Sequence, residues 1–381
     1  MVGFPPPVDR RVTLENWQRP PWNRWSFLHT RELLPTARIS RSTRLWELVR
    51  TPASGLESLE FDGLGDGTTL AHFLDESWTD GLVVLHRGRI ACEEYRNGMR
   101  GDSRHLAMSV SKSITSLVIG ILVHRGLIRL DRPLTEYVPE LSGSAYQGAT
   151  VQHALDMEVS MSWREDYMGP ESEFWRLDAA CGWCPPRPGA AAGSLLDFMR
   201  GLQPEAVHGM RTQYASPNTD LLAMVAERVS GSRFAELVTT ELWRPMGAEL
   251  EADLALDPAG SAIADGGFCV SLRDFARVGQ LLLESGRDVV PRWWVEECLR
   301  GDPKPFESGS YGVDLPGGSY HNQWWHFDGR TFALGIHGQM IAVDVEAQLV
   351  VACVSSAPAP TDPAVRDAQR RLVSALAHTL G

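Results

Sequence analysis

The stretch Met108-Ser109-Val110-Ser111-Lys112-Ser113 opens the most regular apolar pattern in the sequence: Val110, Ile114, Leu117, Val118, Ile121 and Leu122 recur at helical spacing, and Gly126 supplies a stop. Residues i and i+3 share a helix face, so this SxxK pattern brings the Lys112 amine within hydrogen-bond reach of the Ser109 hydroxyl. A serine is a weak nucleophile until a neighbour takes its proton, and a lysine in a dry pocket can do that. The helix start adds free backbone N–H groups able to hold an oxyanion. The bland alternative is a serine N-cap beside a solvated lysine. It is disfavoured because the helix around Lys112 is apolar on most sides.

Lys112 also stands out by composition. The 36 cationic residues include only two lysines, Lys112 and Lys304, the latter between Pro303 and Pro305 in an expected loop. Codon preference is enough to explain the bias, but arginine does not give up its proton in a protein and lysine can. The 381 residues, 43% hydrophobic, suffice for a large core and exclude a disordered chain. A net charge of -12 argues against nucleic acid or an anionic membrane as the main partner and leaves a small molecule. The N-terminal thirty residues are proline-rich and charged, without the apolar core of a signal peptide, and the run Leu117 to Val123 is far too short to span a bilayer. A cytoplasmic protein is expected; its oligomeric state cannot be read from the sequence.

The six dispersed cysteines do not form the framework of a secreted scaffold. Cys181-Gly-Trp-Cys184 spells a single CxxC, but Pro185-Pro186-Arg187-Pro188 after it reads as loop rather than as a redox turn, and no second pair exists to complete a zinc site. HExxH, EF-hand, Walker A and G-x-S-x-G patterns are all absent, so no metal, no cofactor and no α/β-hydrolase nucleophile elbow is expected.

Along the chain, Leu82 to His86 and Arg89 to Glu93 read as a hairpin turning at Arg87-Gly88. Ser216 and Pro217 suit the cap and first position of a second helix ending at Gly231. A helix over Ser271 to Leu283, strands over Ile336 to Val345 and Gln348 to Ser355, and a final helix over Pro363 to Leu380 follow, with a Pro/Gly/Ala-rich connector at Pro185 to Gly193. Strands near both ends with a helical block between them predict an α+β fold. The mixed domain comprises residues 1–150 and 260–381, and a mostly helical insertion spans 151–259.

Met108 to Ser113, Gly126 to Asp131, Tyr214-Ala215-Ser216-Pro217-Asn218-Thr219-Asp220, Gly267 to Asp274 and Gly335-Ile336-His337-Gly338-Gln339 together resemble, in order and spacing, the β-lactamase and penicillin-recognising serine hydrolases. They are most similar to the 6-aminohexanoate-dimer hydrolase and carboxylesterase branch. The resemblance implies a β-lactamase/transpeptidase-like fold, an antiparallel sheet flanked by helices. It implies Ser109 as acylated nucleophile, Lys112 as its proton partner and Tyr214 as the tyrosine of the second motif, here Tyr-Ala-Ser where class C β-lactamases have Tyr-x-Asn. A phenol near an ammonium has its ionised form stabilised, so Tyr214 can relay protons.

The third family motif is normally Lys-Thr-Gly. Aligned on Gly335 it becomes Ala333-Leu334-Gly335, with the Ser109 and Ile336 backbone N–H groups as the implied oxyanion donors. Ala333 cannot hold a substrate carboxylate as that motif's cation does, which disfavours the alternative of a β-lactamase or D-Ala-D-Ala peptidase. His337 is a candidate substitute. Tyr167 and Asp178 stand at the eleven-residue spacing with which a tyrosine and an acid flank the acyl cleft in the nylon-oligomer branch; an anionic Asp178 would suit a substrate ammonium. The expected function is cleavage of an amide or ester of a small acyl substrate through a Ser109 acyl-enzyme. A non-catalytic binding protein retaining the fold is the alternative of a different class.

Overall fold

The structure, a computed structural model, describes residues 3–65, 67–168, 172–185, 193–309 and 311–381. Its centre is a seven-stranded antiparallel sheet. The strands are β1 (Thr79–His86), β2 (Arg89–Tyr95), β3 (Ser319–His321), β4 (Trp324–Phe327), β5 (Arg330–Gly335), β6 (Gln339–Asp344) and β7 (Leu349–Ser355). They lie in the order β2-β1-β7-β6-β5-β4-β3, so the two ends of the sequence build one sheet. The β1–β2 turn has Arg87 at φ 49° and Gly88 at φ 72°, the two positive angles of a tight hairpin turn.

Alternation sends successive side chains of the central strands to opposite faces. On β1 and β7, Val83, Leu85, Val350, Ala352 and Val354 join one apolar core, while Leu82, Val84, Leu349, Val351 and Cys353 join the other. Both faces are therefore covered. Among the helices, α1 is Val110–His124, α2 Glu173–Cys181, α3 Pro217–Ser230, α4 Leu272–Leu283 and α5 Pro363–Leu380. Helix α4 lies on β1, β6 and β7. Gly279 permits the close approach, since a Cβ there would stand 2.6 Å from Val350 and 2.7 Å from Ile341. Ala368, Leu372, Val373 and Leu376 of α5 fill the opposite core. No helix among the described residues is long and apolar enough to cross a membrane.

A second sheet places the motif serine. Its strands run in the order Thr36–Ile39, Ala252–Ala255, Phe268–Val270 and His105–Leu106. The last leads straight into Ala107 and Met108, whose N–H and φ of 46° respectively bind the chain to Phe268 and turn it sharply into α1. Helix α1 is buried from Val110 to Leu122 on all sides, packing against α3 and β5.

Three local expectations change. Strand β6 begins at Gln339 rather than Ile336, because β5 and β6 are a hairpin whose connection is Ile336–Gly338; His337 at φ 62° and Gly338 at φ 89° make the reversal that a continuous strand could not. Lys304 lies in a short helix, Pro303–Glu307, capped by Asp302. Ser216 occupies the position before α3 but its side chain makes no cap bond, being engaged by Glu165 instead. Residues 186–192 of the proline-rich connector lie outside the described residues.

Candidate active site

Ser109 stands at the position before α1, and its side chain caps nothing. Lys112, 1% exposed, donates to the Ser109 Oγ at 2.9 Å and to the Asp265 carbonyl at 3.0 Å, with the Asp265 carboxylate 3.7 Å away. The amine lies 5.1 Å from the Tyr214 ring centroid, and Tyr214 and Ser109 line the same cleft. The three residues that spacing and resemblance selected therefore meet. Gly335 lies against them: a Cβ there would stand 3.0 Å from the Ser109 nitrogen and the Ala107 carbonyl. The Ser109 and Ile336 amides donate to no protein acceptor among the described residues.

The charges around the lysine alter what its burial means. Desolvation acts to lower the Lys112 pKa, as expected for a dry pocket, but the anionic forms of Tyr214, Asp265, Glu165 and Asp220 outweigh it and raise the value. Burial likewise raises the Tyr214 pKa, with Lys112 opposing. The resting pair is thus an ammonium and a phenol.

Two acids that the motif analysis passed over support this pair. The Glu165 carboxylate accepts from the Ser216 hydroxyl, the Ser216 N–H at 3.1 Å, the Trp163 indole at 2.8 Å and the Tyr167 hydroxyl at 3.2 Å. Burial raises its pKa. Asp220 on α3 accepts the Ala264 and Asp265 N–H groups at 2.8 and 3.0 Å, and so fixes the carbonyl to which Lys112 donates. Only the spacing of Glu165 before Tyr167, and of Asp220 after Tyr214, could have flagged them in advance.

Two clefts meet beside Ser109, sharing Tyr167, Ile336 and Pro360 as lining residues. The narrower encloses about 120 Å³ and is lined by Ser109, Tyr214, Tyr311, Trp325 and Arg366 among others. The wider encloses about 740 Å³ and reaches Trp17, Trp175 and Asp178. Asp178, at the wider cleft, accepts from Gln18 at 3.2 Å, and burial pushes its carboxyl up to about 7. Trp175 and Trp325 are cleft walls, whereas Trp324 is fully buried. His337 reaches the edge of the wider cleft, but its Nδ1 bonds the Ala357 carbonyl at 2.7 Å, and burial pulls its pKa down to about 4. The ring is neutral and locally satisfied, which removes the reason for treating it as a substitute cation.

Cys92, Cys181, Cys269, Cys298 and Cys353 are free thiols, Cys181 among the buried ones, and Cys184 is partly buried. The described residues contain no cluster of three or more His, Cys, Asp or Glu side chains arranged to hold a metal ion.

The family model described as Beta-lactamase matches residues 68–376, which include all seven strands of the central sheet and Ser109, Lys112, Tyr167, Tyr214, Ile336 and Pro360. The chain belongs to the beta-lactamase family. This beta-lactamase-family hydrolase is 38% identical over 367 residues to the 6-aminohexanoate-dimer hydrolase of Paenarthrobacter ureafaciens, covering 94% of this chain and 91% of that one. A solved structure named "Putative 6-aminohexanoate-dimer hydrolase from Bacillus anthracis" superposes with a TM-score of 0.89 at 27% identity, covering 98% of each chain. The D-stereospecific amidohydrolase from Streptomyces sp. shares the fold at a TM-score of 0.57 and 18% identity, covering 76% of this chain and 93% of that one. The expected α+β, β-lactamase/transpeptidase-like fold is confirmed by these likenesses.

Proposed function

We propose that this family member cleaves an amide or ester of a small acyl substrate, of the 6-aminohexanoate-oligomer or carboxylester type, through an acyl-enzyme on Ser109. The supporting observation is the Lys112 amine 2.9 Å from the Ser109 Oγ at the start of a buried helix. Ser109 Oγ attacks the carbonyl carbon, and its proton passes into the Lys112–Tyr214 pair, which acts when it is one proton short of its resting form. The Ser109 and Ile336 N–H groups hold the oxyanion. As the tetrahedral intermediate collapses, the carbon–nitrogen or carbon–oxygen bond breaks and Tyr214 hands the proton to the leaving atom. Water then attacks the ester, the pair takes a proton from it, and that proton returns to Ser109 as the acid departs.

Tyr167 and Asp178 line the wider cleft as the acyl-side contacts, Asp178 facing a substrate ammonium when ionised. The likeness to the 6-aminohexanoate-dimer hydrolase supports this substrate class, and the free thiols of Cys92, Cys181, Cys269, Cys298 and Cys353 suit a cytoplasmic setting. The division into residues 1–150 with 260–381 and an inserted unit 151–259 remains part of the same proposal. Intact-mass detection after exposure to a short-chain p-nitrophenyl ester tests the chemistry. An acyl adduct in the wild type and none in a folded Ser109→Ala variant is expected; undiminished turnover by that variant refutes the reading.

A further inference from the structure

The narrower cleft contains a cation with no assigned partner. Three arginines on α5 approach the surface of the main domain. Arg370 pairs with Asp328 at 2.8 Å, and Arg371 bonds the Asp62 and Gly63 carbonyls. Arg366, one turn earlier, lines the cleft that opens on Ser109, and its Nε is buried without a hydrogen-bond partner. Its side chain forms no ion pair among the described residues. Asp362, one turn before it, is already used as the helix cap, accepting the Ala364 N–H at 2.9 Å. A buried guanidinium N–H left unmade is costly unless something arrives to accept from it.

The surroundings define the ligand. Leu315, Trp325, Leu334 and Val365 give the cleft apolar walls suited to an alkyl chain. Tyr311 lines the same cleft, its ring edge-on to Trp325 at 5.0 Å and to Tyr214 at 6.1 Å, and its hydroxyl makes no hydrogen bond among the described residues. Burial raises the Tyr311 pKa, so its phenol stays a donor. Of the nearby acids, Asp314 and Asp362 are exposed, and the Glu165 carboxylate is engaged by Trp163, Tyr167 and Ser216. In a chain of net charge -12, an anion entering this cleft needs such a local cation.

We propose that Arg366, with Tyr311 lining the same cleft, binds a carboxylate on the half of the substrate that occupies the narrower cleft. This deepens the hydrolase proposal, on which it rests: with Asp178 in the other cleft, the favoured substrate carries an ammonium at one end and a carboxylate at the other. A planar guanidinium bonds a carboxylate in two parallel contacts, which an amide cannot reproduce.

Binding of 6-acetamidohexanoate and of its uncharged carboxamide to the Ser109→Ala chain, followed by calorimetry, separates recognition from turnover. The acid is expected to bind about tenfold tighter than the carboxamide, with the preference weakening as salt is added. In Arg366→Gln on the same background the preference should fall to about one, and Arg366→Lys should restore part of it. Equal affinity for the two ligands, no binding of either, or a preference that survives Arg366→Gln in a protein with unchanged thermal unfolding overturns the assignment. Failure of the wild type to form any acyl adduct would overturn the hydrolase reading alone and leave this affinity comparison in force.

Discussion

Replacing Lys112 by arginine retains a positive charge while changing what the side chain can do, and so isolates the proton-transfer role. The native amine makes a 2.9 Å contact to Ser109 and a 3.0 Å contact to the Asp265 carbonyl from a position 1% exposed. Arginine keeps the attraction to the Asp265 carboxylate but cannot release a proton near neutrality. Loss of a positioned acid–base group costs about 10²- to 10⁴-fold in rate. Displacement of the Ser109 hydroxyl by the larger guanidinium adds to that, so a fall in kcat of about 10³-fold or more is expected. Overpacking a buried site destabilises by about 1–3 kcal/mol. That is less than the about 5–15 kcal/mol by which folded domains are stable, so the variant should remain folded at 25 °C. Stopped-flow release of p-nitrophenol resolves acylation, and thermal unfolding monitored alongside verifies the fold. A folded Lys112→Arg enzyme acylating within tenfold of the wild type would refute a proton-carrying lysine and leave Tyr214 as base, with position 112 serving as a charge.

Because the pKa values of Lys112 and Tyr214 are both raised, the proton-deficient pair is a minority form at neutral pH, and kcat/KM for a neutral ester should climb with pH by up to about tenfold per unit on the alkaline side of 7. Removing the Glu165 charge withdraws an anion that stabilises the ammonium and opposes the phenolate, so in Glu165→Gln this limb should move to lower pH while kcat drops about tenfold from lost positioning. A limb that stays in place while kcat falls would make Glu165 a merely structural residue. Asp178 provides an independent pH readout, since its carboxyl ionises as pH rises through about 7. The kcat/KM ratio of an ω-aminoacyl amide to its des-amino analogue should rise over that interval and lie flat, about tenfold lower at pH 8, in Asp178→Asn; a ratio indifferent to both would remove Asp178 from ammonium recognition.

The legible parts of the molecule were those fixed by local spacing. Apolar residues at helical spacing marked α1, and two strand-like runs about Arg87-Gly88 marked the first hairpin, although α1 and the first strand of that hairpin prove to be buried on every side and not on one face alone. The pairing of β7 with β1 is different: Val351 opposite Val84 joins segments separated by most of the chain, and the strand pattern assigned both segments to one mixed domain without giving their pairing or register. The break at Ile336 was hidden because Gly335 to Asp344 contains enough apolar residues to pass for one strand, whereas the reversal depends on positive φ at His337. A non-glycine residue in that conformation carries little sequence signal.

The same distinction between local and assembled properties governs the site. Ser109 and Lys112 are adjacent because a helix repeats every 3.6 residues, but the protonation of Lys112 depends on four groups brought from three other parts of the chain: Tyr214 and Asp220, Asp265, and Glu165. Burial taken alone points toward a neutral amine, and the opposite direction follows only once those acids are placed. Asp220 shows how such a distant residue can matter without approaching the substrate. By bonding the Ala264 and Asp265 N–H groups it orients the Asp265 carbonyl toward Lys112, which in turn aims the amine at Ser109. The nucleophile's geometry is therefore set by a chain of contacts running from α3 through the Asp265 loop to α1, and the chemistry expected of a four-residue motif is a property of the whole cleft.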